Sequence, residues 1–333
     1  MAFAPMVLVF IIWLVYMFVA NKWYLFIDNW YMSITMIFGS FVAGASSEGG
    51  GAIAFPVMTL FFKIPPDVAR NFSFAIQSIG MTAAAYLIIK RKIKIEKTYL
   101  LLASIGGSIG IVLSTYFVVP YVHPKYAKMM FVTFWLSFAI ILYLINHIHN
   151  RDVRDTLPNL QINDKLVIIF IGLLGGGLSA ILGSGIDILT FAFVTMRYQL
   201  SEKVATPTSV VLMAGNTLVG FALHTLIIQD FTMASVPSFE GAALNYWLVC
   251  IPVVIIGAPF GAYFISTRTR NFVIYFLYII IVVQFISAIL ILRPQGDLIW
   301  FTAGIFITGI LFFMFFGGLL KRKPKQNKKE STE

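Results

Sequence analysis

The chain has 333 residues, of which 59% are hydrophobic and only 11% are charged. A water-soluble domain is usually about 25% charged, so this composition excludes a soluble enzyme, a disordered chain and a secreted disulfide scaffold. At about 20 apolar residues per membrane span, the chain has room for roughly ten helices. The single cysteine, Cys250, excludes an intrachain disulfide bond and a cysteine metal cluster.

The first apolar stretch, residues 3–20, lacks a basic start and a clear cleavage site, so we interpret it as a retained helix. The second, residues 30–62, is too long for one helix and is interrupted at residues 44–51. Each of its three consecutive glycines weakens a helix by about 1 kcal/mol. This pattern predicts two half-helices joined by a bend.

Further apolar spans follow along the chain, and the one at 166–198 is interrupted again at Gly183-Ser184-Gly185. They cover residues 68–89, 98–119, 125–148, 166–198, 204–228, 244–265, 272–292 and 298–320. The pairs Gly106/Gly110 and Gly257/Gly261 have the small-xxx-small spacing that predicts close helix packing.

A shift of 136 residues brings the two interrupted regions together, with Phe55 on Phe191 and Ser73 on Ser209. We therefore predict an all-α membrane protein, a polytopic helix bundle of two inverted repeats that each start with a broken hairpin helix pair. The predicted parts are an extra N-terminal helix (1–29), repeat 1 (30–150), a cytoplasmic linker (151–164), repeat 2 (165–292), an extra C-terminal helix (293–320) and a basic cytoplasmic tail (321–333).

The net charge of +10 suggests either nucleic acid binding or basic cytoplasmic loops. If both broken regions are hairpins, 18 of the 24 Lys and Arg residues lie on one face and six on the other. If both regions cross the membrane once, the split is only 14 to ten. The positive-inside rule therefore favours hairpins, inverted halves and a cytoplasmic C-terminus, and nucleic acid is not needed to explain the charge.

The pattern Gly44-x4-Gly49-Gly50-Gly51-x4-Pro56, followed by Ala69-x3-Ser73 and echoed by Ala205-x3-Ser209, resembles the TauE/SafE sulfite exporter family. The resemblance covers most of the chain. It implies a secondary active transporter in the plasma (cell inner) membrane, which exports a small sulfur-containing anion such as sulfite, a sulfonate or thiosulfate by alternating access. The chain departs from the family pattern at Ser47, at Glu48, at Gly185-Ile186-Asp187 and at Ala192.

Free main-chain N–H groups at a glycine break, and hydroxyl and amide side chains on the next helix, suit an oxyanion. The alternative is a purely structural role, in which the glycines allow tight helix packing and the polar groups form interhelical hydrogen bonds. The candidate substrate-binding residues are Ser46, Ser47, Gly49, Gly50, Gly51, Asn71, Ser73, Gln77, Gly183, Ser184, Gly185, Thr208, Ser209 and Asn216.

Glu48 and Asp187 are carboxyl groups at predicted membrane depth, where a charge is costly. The functional hypothesis is proton coupling, with His224 as a third candidate, and the alternative is a structural hydrogen bond at each position. The carboxyl groups would repel a bare anion, so we do not expect them to bind it. Arg70 lies at the outer end of its helix, where it either attracts anions or marks the interface.

No catalytic signature, phosphate loop or metal motif is present in the sequence, so we expect neither an enzyme nor a cofactor or metal. The expected partners are a small anionic sulfur compound and the lipid bilayer. The alternative functions are an anion channel and a non-transporting membrane scaffold or sulfur-trafficking subunit.

Overall fold

The computed structural model describes residues 4–46, 49, 54, 57–147, 153–227 and 241–317. In these ranges the chain is helical, apart from loops and one isolated bridge between Arg154 and Leu200. Nine of the helices described there are long and apolar enough to cross a membrane. The all-α, polytopic membrane bundle is therefore confirmed, and the chain is an integral membrane protein.

Eleven α-helices are described, and we number them in chain order. They are α1 (Ala4–Val19), α2 (Leu25–Ala45), α3 (Pro66–Lys90), α4 (Lys97–Phe117), α5 (Pro124–His147), α6 (Ile162–Leu182), α7 (Ile186–Arg197), α8 (Glu202–Ala222), α9 (Ala242–Ser266), α10 (Arg270–Leu292) and α11 (Asp297–Gly317). Single turns of π-helix lie at Val57–Phe61 and Leu223–Ile227, and a 3-10 turn lies at Val119–Tyr121.

Two predicted boundaries differ from the structure. Helix α2 begins at Leu25 rather than at residue 30, because the chain turns immediately after α1 with Asn21 at a positive φ of 49°. Helix α6 begins at Ile162, so it takes up part of the predicted linker 151–164. The predicted tail 321–333 lies outside the described residues.

The tightest packing joins the first helix of each half to the small-residue helix of the other half, α2 to α9 and α6 to α4. A Cβ atom at Gly44 would strike the carbonyl group of Ala258, and one at Gly176 would strike the carbonyl group of Gly107. The predicted glycine pairs lie in these two interfaces: Gly106 and Gly110 face the main chain at Ile169 and Leu173, and Gly257 and Gly261 face Ser40 and Phe41. The two halves are therefore interlocked.

These contacts give the predicted repeat a different register. Gly44 and Gly176 make equivalent contacts at an offset of 132 residues, whereas their partners Ala258 and Gly107 are 151 apart. The ungapped shift of 136 therefore does not hold for α2 and α6. Helix α6 continues for more than one turn beyond the position equivalent to the end of α2, which is Ala45.

Loops from both halves meet at one end of the bundle. The N–H of Ser201 donates to the carbonyl of Arg154 at 2.7 Å, and the N–H of Leu157 donates to Glu96 Oε1 at 3.2 Å. Beside them, the Arg270 side chain forms an ion pair with the buried Glu202 at 2.5 Å. All four segments belong to the face that the charge split assigns to the cytoplasm, and the sidedness itself stays a prediction.

Candidate functional site

The second helix break is built from two glycines with positive φ. Gly183 ends α6 with φ of 79°, and Gly185 precedes α7 with φ of 153°, conformations that a side chain would strain. Helix α7 therefore restarts inside the bundle, where its first main-chain N–H groups have no carbonyl partner in a preceding turn. The Ile186 N–H donates to Ser179 Oγ and the Gly185 N–H donates to Asp187 Oδ1, both at 3.1 Å.

The first break starts at Ser46, whose extended backbone ends α2 and whose hydroxyl donates to the carbonyl of Val42 at 2.8 Å. Beyond it, Gly49 donates its main-chain N–H to Asp187 Oδ2. The candidates Ser47, Glu48, Gly50 and Gly51 lie outside the described residues. The two breaks, 138 positions apart in the chain, therefore meet at one carboxyl group.

Gln77 joins a third element, α3, to this point. Its Nε2 donates to the carbonyl of Ser73 at 2.9 Å and to that of Gly183 at 2.8 Å. Its Oε1 lies against Gly49, where an added Cβ atom would also be 2.7 Å from Asp187 Oδ2. Position 49 therefore has room only for glycine between two side-chain oxygens.

Further polar groups lie beside the breaks with unused hydrogen-bonding capacity. The Ser184 hydroxyl and the Asn216 amide are buried without a hydrogen-bond partner among the described residues. Asn216 lies near the start of α7, since a Cβ atom at Gly107 would meet both its Oδ1, at 2.7 Å, and the side chain of Ile186. Ser73 packs against Gly183, and its hydroxyl donates within its own helix to Ala69.

Two predicted residues on α8 form their described hydrogen bonds away from the breaks. The Thr208 hydroxyl donates to the carbonyl of Val204 and accepts from the N–H of Glu96, so it closes a loop at the end of the bundle. Neighbouring residues on a helix point about 100° apart. Thr208 and Ser209 therefore lie on different faces of α8. The Ser209 hydroxyl donates to the carbonyl of Thr206, and within the described residues it forms no hydrogen bond with either break.

His224 lies in the π-helical turn after α8 and stacks on the ring of Phe74, with centroids 5.6 Å apart. Asp187 and Gln77 direct their described hydrogen bonds to Gly49, Gly185, Ser73 and Gly183 rather than to His224. The predicted polar stripe of α8 is therefore divided between the break, at Asn216, and an aromatic contact, at His224.

Arg70 lies near the start of α3 and is a buried cation, while its predicted role in attracting anions stays a prediction. Only 4% of the residue is exposed, and its Nε and Nη2 atoms both lie 3.3 Å from Oδ1 of the predicted site residue Asn71. Its main-chain carbonyl oxygen would be 3.1 Å from a Cβ atom at Gly183. Arg70 thus belongs to the surroundings of the second break.

Ser179 is a side chain of the second break that is absent from the residues predicted from the sequence. It lies four residues before Gly183, one helical turn upstream of the break. This spacing is the feature of the sequence from which its position beside the break could have been predicted. Its Oγ accepts the first N–H of α7 across that break. It therefore holds the glycine turn and the restarted helix together.

Two cavities border these groups. A cavity of about 10 Å³, close to one water molecule, lies between Gln77, Ser40 and Gly80. A larger cavity of about 410 Å³ reaches Gly185 and is lined mainly by apolar side chains of α5, α6, α7 and α11. In the described part of the chain, no three His, Cys, Asp or Glu side chains are placed to hold a metal ion.

This arrangement, two helix breaks meeting at buried main-chain N–H groups inside a membrane bundle, is accompanied by a match to a known family. The family described as "Sulfite exporter TauE/SafE" matches residues 32–286, which include both breaks. Neither a curated protein nor a solved structure matches the chain. The chain therefore belongs to the TauE/SafE sulfite exporter family, whose members are membrane transporters for sulfur anions.

Proposed function

We propose that this chain is a secondary active transporter that exports a small sulfur-containing anion, such as sulfite, a sulfonate or thiosulfate, by alternating access. The observation that carries the proposal is the meeting of the two breaks, where Gly49 of one half and Gly185 of the other both direct a main-chain N–H to one buried point. Oriented N–H groups at a helix start are suited to an oxyanion.

The composition of the surrounding shell supports the same substrate class. Ser184 and Asn216 are buried with donors that have no partner in the described structure. A buried donor without an acceptor costs about 1–3 kcal/mol, and an anion with several oxygens would satisfy these donors together. Ser73, Gln77 and Gly183 hold the shell in place through hydrogen bonds and packing.

Alternating access is supported by the interlocked halves. Each half presents its first helix to the small-residue helix of the other, through the equivalent contacts of Gly44 and Gly176. An inverted pair of this kind could rock about a central site while the site residues stay in place. We further propose a plasma-membrane location with the C-terminus in the cytoplasm and no enzymatic activity.

Reconstituted vesicles test this function. The full chain is reconstituted, and fluxes of sulfite, thiosulfate and several sulfonates are measured with and without a pH gradient. We expect saturable flux of at least one of them. Ser184→Ala should weaken the apparent affinity, whereas Ser78→Ala should not, since the Ser78 hydroxyl donates only within its own helix to Ala75.

The outcomes separate the alternatives. Flux that saturates weakly and ignores proton gradients would favour a channel. The absence of both binding and flux for every sulfur anion would favour a scaffold or trafficking subunit and would overturn the proposal.

A further inference from the structure

The main-chain N–H of Gly49 is already in use. It donates to Oδ2 of Asp187, and Oδ1 of the same carboxyl group accepts the N–H of Gly185 at 3.1 Å. Each break thus gives one N–H to one internal, completely buried carboxyl group. These are the donors that the proposed function assigns to a substrate oxyanion, so Asp187 and the substrate compete for them.

No cation balances Asp187 among the described residues. The charged and titratable groups on the elements packed around it are Asp67, Arg70 and Lys90 on α3, Asp164 and Lys165 on α6, Arg197 on α7, Glu202 and Lys203 on α8, Lys125, Lys128 and His147 on α5, and Asp297 on α11. None of these forms an ion pair with Asp187, and Glu48 lies outside the described residues. A second anion placed on the same N–H groups would therefore meet strong repulsion in a low-dielectric interior.

An acceptor for the O–H group of a protonated Asp187 lies next to this carboxyl group. Gln77 Oε1 is buried without a hydrogen-bond partner in the described structure, and two carbonyl acceptors fix the orientation of its amide. This oxygen and Asp187 Oδ2 border the same point beside Gly49. A protonated Asp187 could donate its O–H to Gln77, and the N–H of Gly49 would then be released.

We propose that Asp187 is a tethered competitor of the substrate, and that its uptake of a proton from the aqueous phase is what opens the Gly49 amide to the anion. This inference rests on the proposed function and specifies its coupling. One proton and one anion are carried together, and the empty site returns with the Asp187 carboxylate bound to Gly49. Transport of a monovalent anion is then electroneutral.

The test compares sulfite binding to the full-length wild type and to Asp187→Asn in detergent, by calorimetry at pH 6, 7 and 8. Because the protonation of sulfite affects both proteins equally, the ratio of the two affinities isolates the carboxyl group. We expect the wild type to lose affinity relative to the variant by up to about tenfold per pH unit once the carboxyl group is ionised. The control, Asp297→Asn, removes an exposed carboxyl group at the start of α11 and should follow the wild type.

A ratio that does not change with pH, or a variant that binds no sulfite while the wild type does, overturns the inference and leaves the proposed function intact. A wild type that binds none of the sulfur anions overturns the proposed function and this inference with it.

A second measurement does not depend on the folding of Asp187→Asn. Infrared difference spectra of the wild type should gain a protonated-carboxyl band when sulfite is added, and Asp187→Glu should shift that band. No band, or a band that the glutamate variant leaves unchanged, contradicts the inference.

Discussion

The side-chain amide of Gln77 donates to the main-chain carbonyl of Gly183 at 2.8 Å, 106 positions away. This bond ties α3 of the first half to the helix break of the second half. The same side chain places its oxygen against Gly49, in the first break. One glutamine therefore touches both breaks and fixes their separation.

Gln77→Leu should weaken both folding and transport. The carbonyl of Gly183 would lose a buried donor, which costs about 1–3 kcal/mol, and the two breaks would lose their common contact. We expect a lower thermal midpoint in detergent and reduced sulfite flux in vesicles. Ser78→Ala, one residue along α3, is the control and should retain flux; equal loss in both variants would contradict a specific role for Gln77.

Gly110→Ala should destabilise the interface between α4 and α6. The new Cβ atom would be 2.9 Å from the carbonyl carbon of Leu173 and 3.0 Å from the nitrogen of Gly177, and main chain cannot move aside. Overpacking of this kind costs about 1–3 kcal/mol or more. Gly261→Ala, with the equivalent contacts at Phe41 and Ala45, should behave in the same way.

The control for these glycines should change stability in the opposite direction. Gly304, in α11, has no atom within 4 Å of a built Cβ. Gly304→Ala should therefore stabilise the helix by up to about 1 kcal/mol. Denaturation in detergent measures all three variants, and a stable Gly110→Ala protein would contradict the packing argument.

The ion pair between Arg270 and Glu202 should contribute far more than a surface pair. Glu202 is fully buried, and Arg270 Nη2 also donates to Asn146 Oδ1 at 2.9 Å, so α5, α8 and α10 are joined at one end. Removing one partner of a buried pair costs about 3–5 kcal/mol. We expect Arg270→Ala, which leaves the buried carboxyl group of Glu202 without this cation, to lie in or near that range.

A double-mutant cycle provides the comparison. The pair Arg197–Asp164 is 3.9 Å apart, with 53% of the arginine side chain exposed. Its coupling should stay below about 1 kcal/mol, while that of Arg270 and Glu202 should exceed it. Equal coupling energies would contradict the prediction that the buried pair contributes more to stability than the exposed pair.

Ser179→Ala should weaken the start of α7. The N–H of Ile186 would lose its acceptor, and loss of such a cap costs about 0.5–2 kcal/mol. The matched control is Ser108→Ala on α4, because the Ser108 hydroxyl donates only to its own helix at Ser104. Hydrogen exchange at the first residues of α7 should accelerate in the first variant alone.

The sequence by itself determined the elements and the places where they break. Apolar runs of about 20 residues specify membrane helices regardless of their neighbours, and clustered glycines such as Gly183 and Gly185 interrupt them for local steric reasons. The spacing of Gly106 and Gly110 likewise indicated a close helix contact, because one face without side chains is a local property.

Only the tertiary structure decided which groups meet. The sequence places a carboxyl group at membrane depth but does not show which group it contacts. The hydrogen bond from Gly49 to Asp187 could therefore not be predicted from either segment. The burial of Arg70 and the turning away of Thr208 were decided in the same way. Periodicity gives the face of a helix, but the identity of the group across the interface depends on how two distant halves of the chain pack together.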